Sequence, residues 1–195
     1  MRSADVNRET SETSIRIELG LDGAGRSEVA TGIGFFDHML QAFAKHGLFD
    51  LKVEARGDLH VDQHHLLEDT GIVLGEAFSQ ALGGRAGIAR AGFFVFPMDE
   101  AVAFVTVDVC GRSLLHFEAD FTNRTVGDLE VALLREFFFG FSQGLKCVVH
   151  VTMPYGENDH HKAEAIFKAF GKAMKTAVTV DKRAAGEIPS TKGTL

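Results

Sequence analysis

Apolar residues recur along this chain in two rhythms, and each rhythm occurs twice. Leu67, Gly71, Leu74, Phe78 and Leu82 fall at three- and four-residue steps, as do Ala163, Ile166, Phe167, Phe170, Ala173, Met174 and Ala177. Each run predicts a long amphipathic helix. Phe49 to Glu54 alternates apolar and polar residues, and Lys146 to Met153 reads the same way. These segments predict strands, as do Ser14 to Leu19 and Ala101 to Val109 further upstream. Short helices are predicted at Phe35 to Leu40 and around Arg135 to Phe138, the latter with an apolar stripe of Leu134, Phe137, Phe138 and Phe141. Each half therefore reads as strands, short helix, strand, turn and long helix.

The recurrence is a duplication. His64-His65-Leu66-Leu67-Glu68 is echoed 96 residues later by His160-His161-Lys162-Ala163-Glu164. An acidic turn precedes each string, Asp62-Gln63 in one and Glu157-Asn158-Asp159 in the other. Agreement of the flanking elements argues against coincidence. The expected division is residues 1–92 and 93–195, with the halves sharing one compact domain. Half a chain holds only a modest core, and packing each half's helices against the twin buries more. The expected fold is α+β, an internal duplication in which each half is a mixed sheet packed on one face by helices.

Composition narrows the setting. The 45% hydrophobic and 24% charged content is that of a globular chain, and three prolines argue against a long disordered linker. No apolar run of membrane-spanning length occurs, and the polar first residues carry no signal-peptide core. Cys110 and Cys147 are too few for a disulfide framework or a thiolate zinc site, so a reducing, cytoplasmic setting is expected. With a net charge of −7 and no basic stripe, neither nucleic acid nor membrane is an expected partner.

The nine histidines stand out against one tyrosine and no tryptophan. On a helix, residues four apart share a face while adjacent residues point about 100° apart. His64 and Glu68 can therefore meet on one ion while His65 points elsewhere, and His160 and Glu164 part from His161 likewise. Such pairs suit two ions better than one. Imidazoles and carboxylates without thiolates match Mn²⁺, Fe²⁺, Zn²⁺ or Co²⁺. Asp62 and Asp159 read as helix caps. His46, before Gly47, reads as a structural residue at a helix C-terminus, and His60, His116 and His150 also read as structural. No HExxH, GxSxG or Walker A string is present. Gly32-Ile33-Gly34 lacks the third glycine of a dinucleotide turn, and no long helix is expected after it.

Five strings together resemble the imidazoleglycerol-phosphate dehydratase family in its monofunctional form. They are Gly34-Phe35-Phe36-Asp37-His38-Met39-Leu40, Asp62-Gln63-His64-His65-Leu66-Leu67-Glu68-Asp69, Pro97-Met98-Asp99-Glu100, Asn158-Asp159-His160-His161-Lys162-Ala163-Glu164 and Pro189-Ser190-Thr191-Lys192-Gly193. They occur in the family's order and cover almost the whole chain.

The resemblance implies a lyase of histidine biosynthesis that dehydrates a phosphorylated imidazole diol to a ketone, with two Mn²⁺ ions per active site. An imidazole has a nitrogen on each side, so two ions can each take one and help the ring release the neighbouring hydroxyl. The implied metal ligands are His38, His64, His65, Glu68, Glu136, His160, His161 and Glu164. Glu136 lies off the apolar stripe of its helix, and an exposed helix glutamate is the competing account. Glu12, within Arg8-x-Thr10-x-Glu12-Thr13, is the implied proton-transfer residue. Arg90, Arg112, Lys168, Ser190 and Lys192 are the implied phosphate-binding residues. A homo-oligomer of 24 copies, with sites built from neighbouring subunits, is implied as well. Cys110 and Ala42 depart from common family residues, and neither departure removes a proposed ligand. From the residues alone, a dinuclear metallohydrolase and a noncatalytic metal-storage assembly remain rivals.

Overall fold

Strand pairing decides how the two rhythms are used. The computed structural model describes residues 2–195. Its first half contains β1 (Ser3–Glu9), β2 (Thr13–Gly20), β3 (Ser27–Ala30), α1 (Gly34–Gly47), β4 (Asp50–Gly57) and α2 (His64–Leu82). The second contains β5 (Ala91–Met98), β6 (Ala101–Asp108), β7 (Leu114–Glu118), the small hairpin β8 (Thr125–Val126) and β9 (Leu129–Glu130), α3 (Leu134–Leu145), β10 (Val148–Tyr155) and α4 (Asp159–Val178). The sheets run β1-β2-β4-β3 and β5-β6-β10-β7. In each, the last strand is parallel to its neighbour and the other pairs are antiparallel. The duplication thus extends to sheet order and strand direction.

Alternation along the strands sends one face inward. Ile15, Ile17 and Leu19 of β2 and Val105 and Val107 of β6 are buried. Helix α2 covers β1 and β2, while α4 covers β5 and β6. The helices then pair across the halves, α1 with α4 and α2 with α3. A single apolar core therefore runs through both halves. Side by side and in the same direction, α2 and α3 approach until backbone meets backbone. A Cβ on Gly71 would lie 2.1 Å from the Phe137 carbonyl oxygen, and one on Gly140 would lie 2.2 Å from that of Glu68. Only glycine fits such a contact.

Two expectations change. Helix α1 is 14 residues long rather than short, because the apolar steps through Phe36, Met39, Leu40 and Phe43 continue to its end. Leu48 then closes it in the left-handed conformation, at φ 57°. A helix thus does follow Gly32-Ile33, although the third glycine of a dinucleotide turn is still missing. The division after residue 92 crosses β5, which begins at Ala91 just beyond the positive φ of Arg90 and pairs there with Asp108. Cys110 and Cys147 are buried and free. Among the described residues, no helix is long and apolar enough to cross a membrane.

Candidate metal centre

Both His-His-x-x-Glu strings open a helix, and each opening is held by hydrogen bonds. The Asp62 carboxylate accepts from the His64 backbone N–H at 2.8 Å, and the Asn158 side chain accepts from that of His160 at 2.9 Å. Asn158 rather than Asp159 therefore caps α4, which corrects the expected assignment. Asp159 is the helix's first residue and turns inward. Its buried carboxylate accepts from the backbone N–H groups of Thr122 at 3.0 Å and Asn123 at 2.7 Å, with Lys162 Nζ at 2.9 Å. Burial works to raise this carboxyl, but Lys162 and the amides outweigh it and hold it at about 2. The β8–β9 hairpin fixes the other helix starts. Asp128 accepts from Gly34 and Phe35 N–H at 2.7 and 2.9 Å, and the Gln63 side chain bonds the Asp128 and Glu130 backbones.

One set of donors is already gathered. His160 Nε2 lies 3.1 Å and His38 Nε2 3.5 Å from Glu164 Oε2, bringing α1 and α4 together. One ligand atom from each of these residues lies within 4.8 Å of the others. Lys168 Nζ stands 2.9 Å from the other oxygen of Glu164. Although burial works to raise the Glu164 carboxyl, Lys168 and the two histidines leave it below its ordinary value.

The second set is related to the first by the duplication. His64 Nε2 lies 3.5 Å from Glu68 Oε2 on α2. The helix contacts show which residue of α3 corresponds to His38 of α1. A Cβ on Gly171 would meet Phe43 O and Gly47 N, while one on Gly75 would meet Phe141 O and Leu145 N. Phe141 and Leu145 stand 98 residues after Phe43 and Gly47, and the same step carries His38 onto Glu136. Glu136 therefore occupies on α3 the place that His38 occupies on α1. Its side chain is half-buried and contacts Arg135 at 3.1 Å.

His65 and His161 turn away from these sets, with rings at 82° and 84° to their neighbours. His65 Nδ1 meets Asp58 Oδ2 at 3.0 Å, with Glu12 Oε2 at 3.9 Å. His161 Nδ1 meets Glu100 Oε2 at 2.8 Å. The bonds from Asp58 and Glu100 are the largest cause of a raised pKa at each ring. Glu100 is held at about 2, chiefly by the Asn158 N–H and then by His161. The other histidines lie elsewhere. His46 is in the last turn of α1 with its ring edge against Phe96, and His60 is in the turn after β4. His116 and His150 are register partners on β7 and β10, exposed on the face away from the helices.

The cationic residues divide. Lys168 is at the first set, but Arg90 lies at the opposite end of α4, where its N–H bonds Ala177 O at 2.9 Å. The 17 residues from His160 to Ala177 span about 25 Å of helix. The Arg90 guanidinium donates to both Asp108 oxygens at 2.7 and 3.0 Å and to Pro189 O at 2.9 Å. Ser190 Oγ accepts from Lys192 N–H at 3.2 Å. Gly111, beside Arg112, abuts Leu195. Arg90, Arg112, Ser190 and Lys192 therefore gather around the C-terminal segment, with Arg90 far along α4 from the His38–His160–Glu164 set. Sequence reasoning gave no role to Asp58, Glu100 or Asp128. Glu100 lies within one of the resemblance strings, whereas Asp128 has no local signal, being more than ninety residues from the helix start it caps.

The family model for imidazoleglycerol-phosphate dehydratase matches residues 31–174. The chain belongs to this family, and as such is a hydro-lyase. Imidazoleglycerol-phosphate dehydratases of Koribacter versatilis and Methanosarcina mazei are 52% and 54% identical to it, each alignment covering both proteins fully. Among solved structures, the Pyrococcus furiosus enzyme in complex with (S)-C348 superposes with a TM-score of 0.85 at 35% identity, over 97% of this chain and 100% of that one. The Staphylococcus aureus enzyme gives 0.82 at 35% identity, over 92% and 99%.

Proposed function

We propose that this chain dehydrates imidazoleglycerol phosphate to imidazoleacetol phosphate in histidine biosynthesis, using two Mn²⁺ ions per active site. The observation that carries this reading is the pair of related His–Glu sets, each accompanied by a histidine turned outward from it. Their nitrogen and carboxylate donors, without a thiolate, fit Mn²⁺. His38, His160 and Glu164 hold one ion, and His64, Glu68 and Glu136 hold the other. His65 and His161 complete sets in neighbouring copies, so the active form is a homo-oligomer, of 24 subunits by family resemblance. Bound there, the cations supply Lewis-acid stabilisation of an imidazole whose two nitrogens face opposite ways.

The chain's own groups do the rest. Glu12, in the β1–β2 turn beside His65, takes the carbon-bound proton that must be lost as the hydroxyl departs. Lys168 holds Glu164 in place and sets positive charge beside the first ligand set. Arg112, Ser190 and Lys192 bind the substrate phosphate, while Arg90 adds charge and anchors the tail through Pro189. Because Arg90 lies about 25 Å along α4 from His160 and the tail gathers with it, these groups serve a neighbouring subunit's site. A local cluster of cations is compatible with the net charge of −7, since binding depends on nearby charge. The two free, buried cysteines accord with a reducing, cytoplasmic setting.

The test is to strip the purified protein of metal and titrate it with Mn²⁺ while following imidazoleglycerol phosphate. Turnover should rise until two equivalents per chain are bound. A folded, fully Mn²⁺-loaded protein that leaves the substrate intact refutes the proposal.

A further inference from the structure

The five clustered histidines are of two kinds, distinguished by whether Nδ1 is engaged by a carboxylate. His38, His64 and His160 direct Nε2 at a glutamate of their own set, at 3.5, 3.5 and 3.1 Å. His65 and His161 instead have Nδ1 held by a carboxylate from another element, Asp58 at 3.0 Å and Glu100 at 2.8 Å. With the Nδ1 proton directed into that carboxylate, the lone pair belongs to Nε2. The exposed Asp99 Oδ2 also lies 3.6 Å from His161 Nε2, on the side a metal would take.

Both residues are themselves held, Asp58 through its backbone and Glu100 through its carboxylate. Asp58 follows β4, and its backbone N–H donates to Glu12 O at 3.1 Å while its carbonyl accepts from Val61 N–H at 2.7 Å. Glu100 is the second residue of the two-residue turn between β5 and β6. Its Oε1 accepts from the backbone N–H groups of Asn158 and Glu157 at 2.7 and 3.1 Å, leaving Oε2 for His161. The duplication therefore repeats a function with different parts: an aspartate after β4 in one half, a glutamate in a hairpin turn in the other.

We propose that Asp58 and Glu100 are positioning residues that fix the tautomer and direction of His65 and His161, so that each presents Nε2 to a metal set completed by another copy of the chain. A carboxylate on the far nitrogen of a metal-binding imidazole holds the ring and raises its basicity as a ligand. This inference rests on the ligand scheme proposed above. It adds two residues that touch neither metal nor substrate.

The experiment measures Mn²⁺ binding to the intact assembly by equilibrium dialysis, with sedimentation velocity and thermal melting alongside. Wild type should bind two equivalents per chain. Asp58→Ala should weaken one equivalent about 10- to 100-fold and spare the other, with assembly size unchanged. Asp58→Glu should recover part of the loss. Glu100→Gln, which keeps an acceptor oxygen but removes the charge, should weaken the other equivalent. Two equivalents with wild-type affinities in both Asp58→Ala and Glu100→Gln would overturn this inference alone, provided that His65→Ala loses an ion. A lower melting temperature with unchanged Mn²⁺ affinity would assign the carboxylates to folding only and also overturn it. A wild type that binds no Mn²⁺ would overturn the ligand scheme and this inference together.

Discussion

Replacing Gly140 by alanine adds one methyl group where α3 touches the turn of α2 that carries Glu68. The new Cβ would lie 2.2 Å from Glu68 O, 3.0 Å from Ile72 N and 3.1 Å from Glu68 C. Close C–H···O contacts settle at about 3.3–3.6 Å, so the two helices must separate by roughly 1 Å. Overpacking of this kind costs about 1–3 kcal/mol. Relief from a glycine within a helix returns about 1 kcal/mol. Because the obstacle is backbone rather than a flexible side chain, the overpacking cost should fall in the upper part of its range, about 2–3 kcal/mol, for a net loss of about 1–2 kcal/mol. In a chain of this size that lowers the melting temperature by roughly 2–8 °C. In the proposed ligand scheme the separation also moves α3, which carries Glu136, away from the α2 turn of His64 and Glu68, while leaving the α1–α4 contact intact. Thermal melting combined with Mn²⁺ titration should therefore show a less stable protein with one weakened equivalent and one normal one. A variant as stable as wild type, with both affinities unchanged, would refute this link between helix contact and ligand geometry.

Other variants separate the remaining roles. Asp159→Ala leaves Lys162 without its buried partner and should cost about 3–5 kcal/mol in urea unfolding at neutral pH; a loss below about 1 kcal/mol would contradict the pairing. Since the folded Asp159 carboxyl is held at about 2, below its ordinary 3.8, its stabilisation is complete above pH 4 and lost as the pH falls toward 2. The drop in unfolding free energy between pH 5 and 3 should accordingly be smaller in Asp159→Asn than in wild type, and equal drops would count against this assignment. Glu136→Ala should bind one Mn²⁺ per chain by metal analysis while Glu136→His keeps two; two ions in the alanine variant would remove Glu136 from the ligands. Glu12→Gln should retain both ions and the assembly while turnover falls roughly 10²- to 10⁴-fold, and wild-type turnover would exclude Glu12 from proton transfer.

What could be read from the sequence was whatever is encoded locally. The long helices α2 and α4 announce themselves through apolar steps, and the spacing of His64 with Glu68 and His160 with Glu164 fixes which histidine faces which glutamate. Strand β1 gives no such signal. Its residues are polar apart from Ala4 and Val6, and it is a strand because Val6 pairs with Ile17 across an antiparallel ladder. Four-residue β3 likewise depends on its partner β4. The relation between His38 and Glu136 was hidden by unequal connections. Six residues separate β4 from α2 but only three separate β10 from α4, so the 96-residue step of the histidine strings does not hold for α1 and α3. At a step of 96, His38 would fall on Leu134, which is buried. The step of 98 emerges from the folded chain, in the backbone contacts of Gly75 and Gly171 and in the left-handed Leu48 and Lys146 that close α1 and α3. Asp58, Glu100 and Asp128 act across distances that no local pattern records, and the cationic tail gives no sign in sequence that it lies at the far end of α4.

In the proposed enzyme each chain contributes two distinct three-residue sets, His38–His160–Glu164 and His64–Glu68–Glu136, each binding one ion with an imidazole from another copy. Diffraction from crystals of the Mn²⁺-loaded protein, collected on both sides of the manganese absorption edge, tests it most directly. Two anomalous peaks per chain are expected, one at each set, with His65 or His161 of a neighbouring subunit alongside. A single peak per chain, or peaks away from these glutamates, would contradict it.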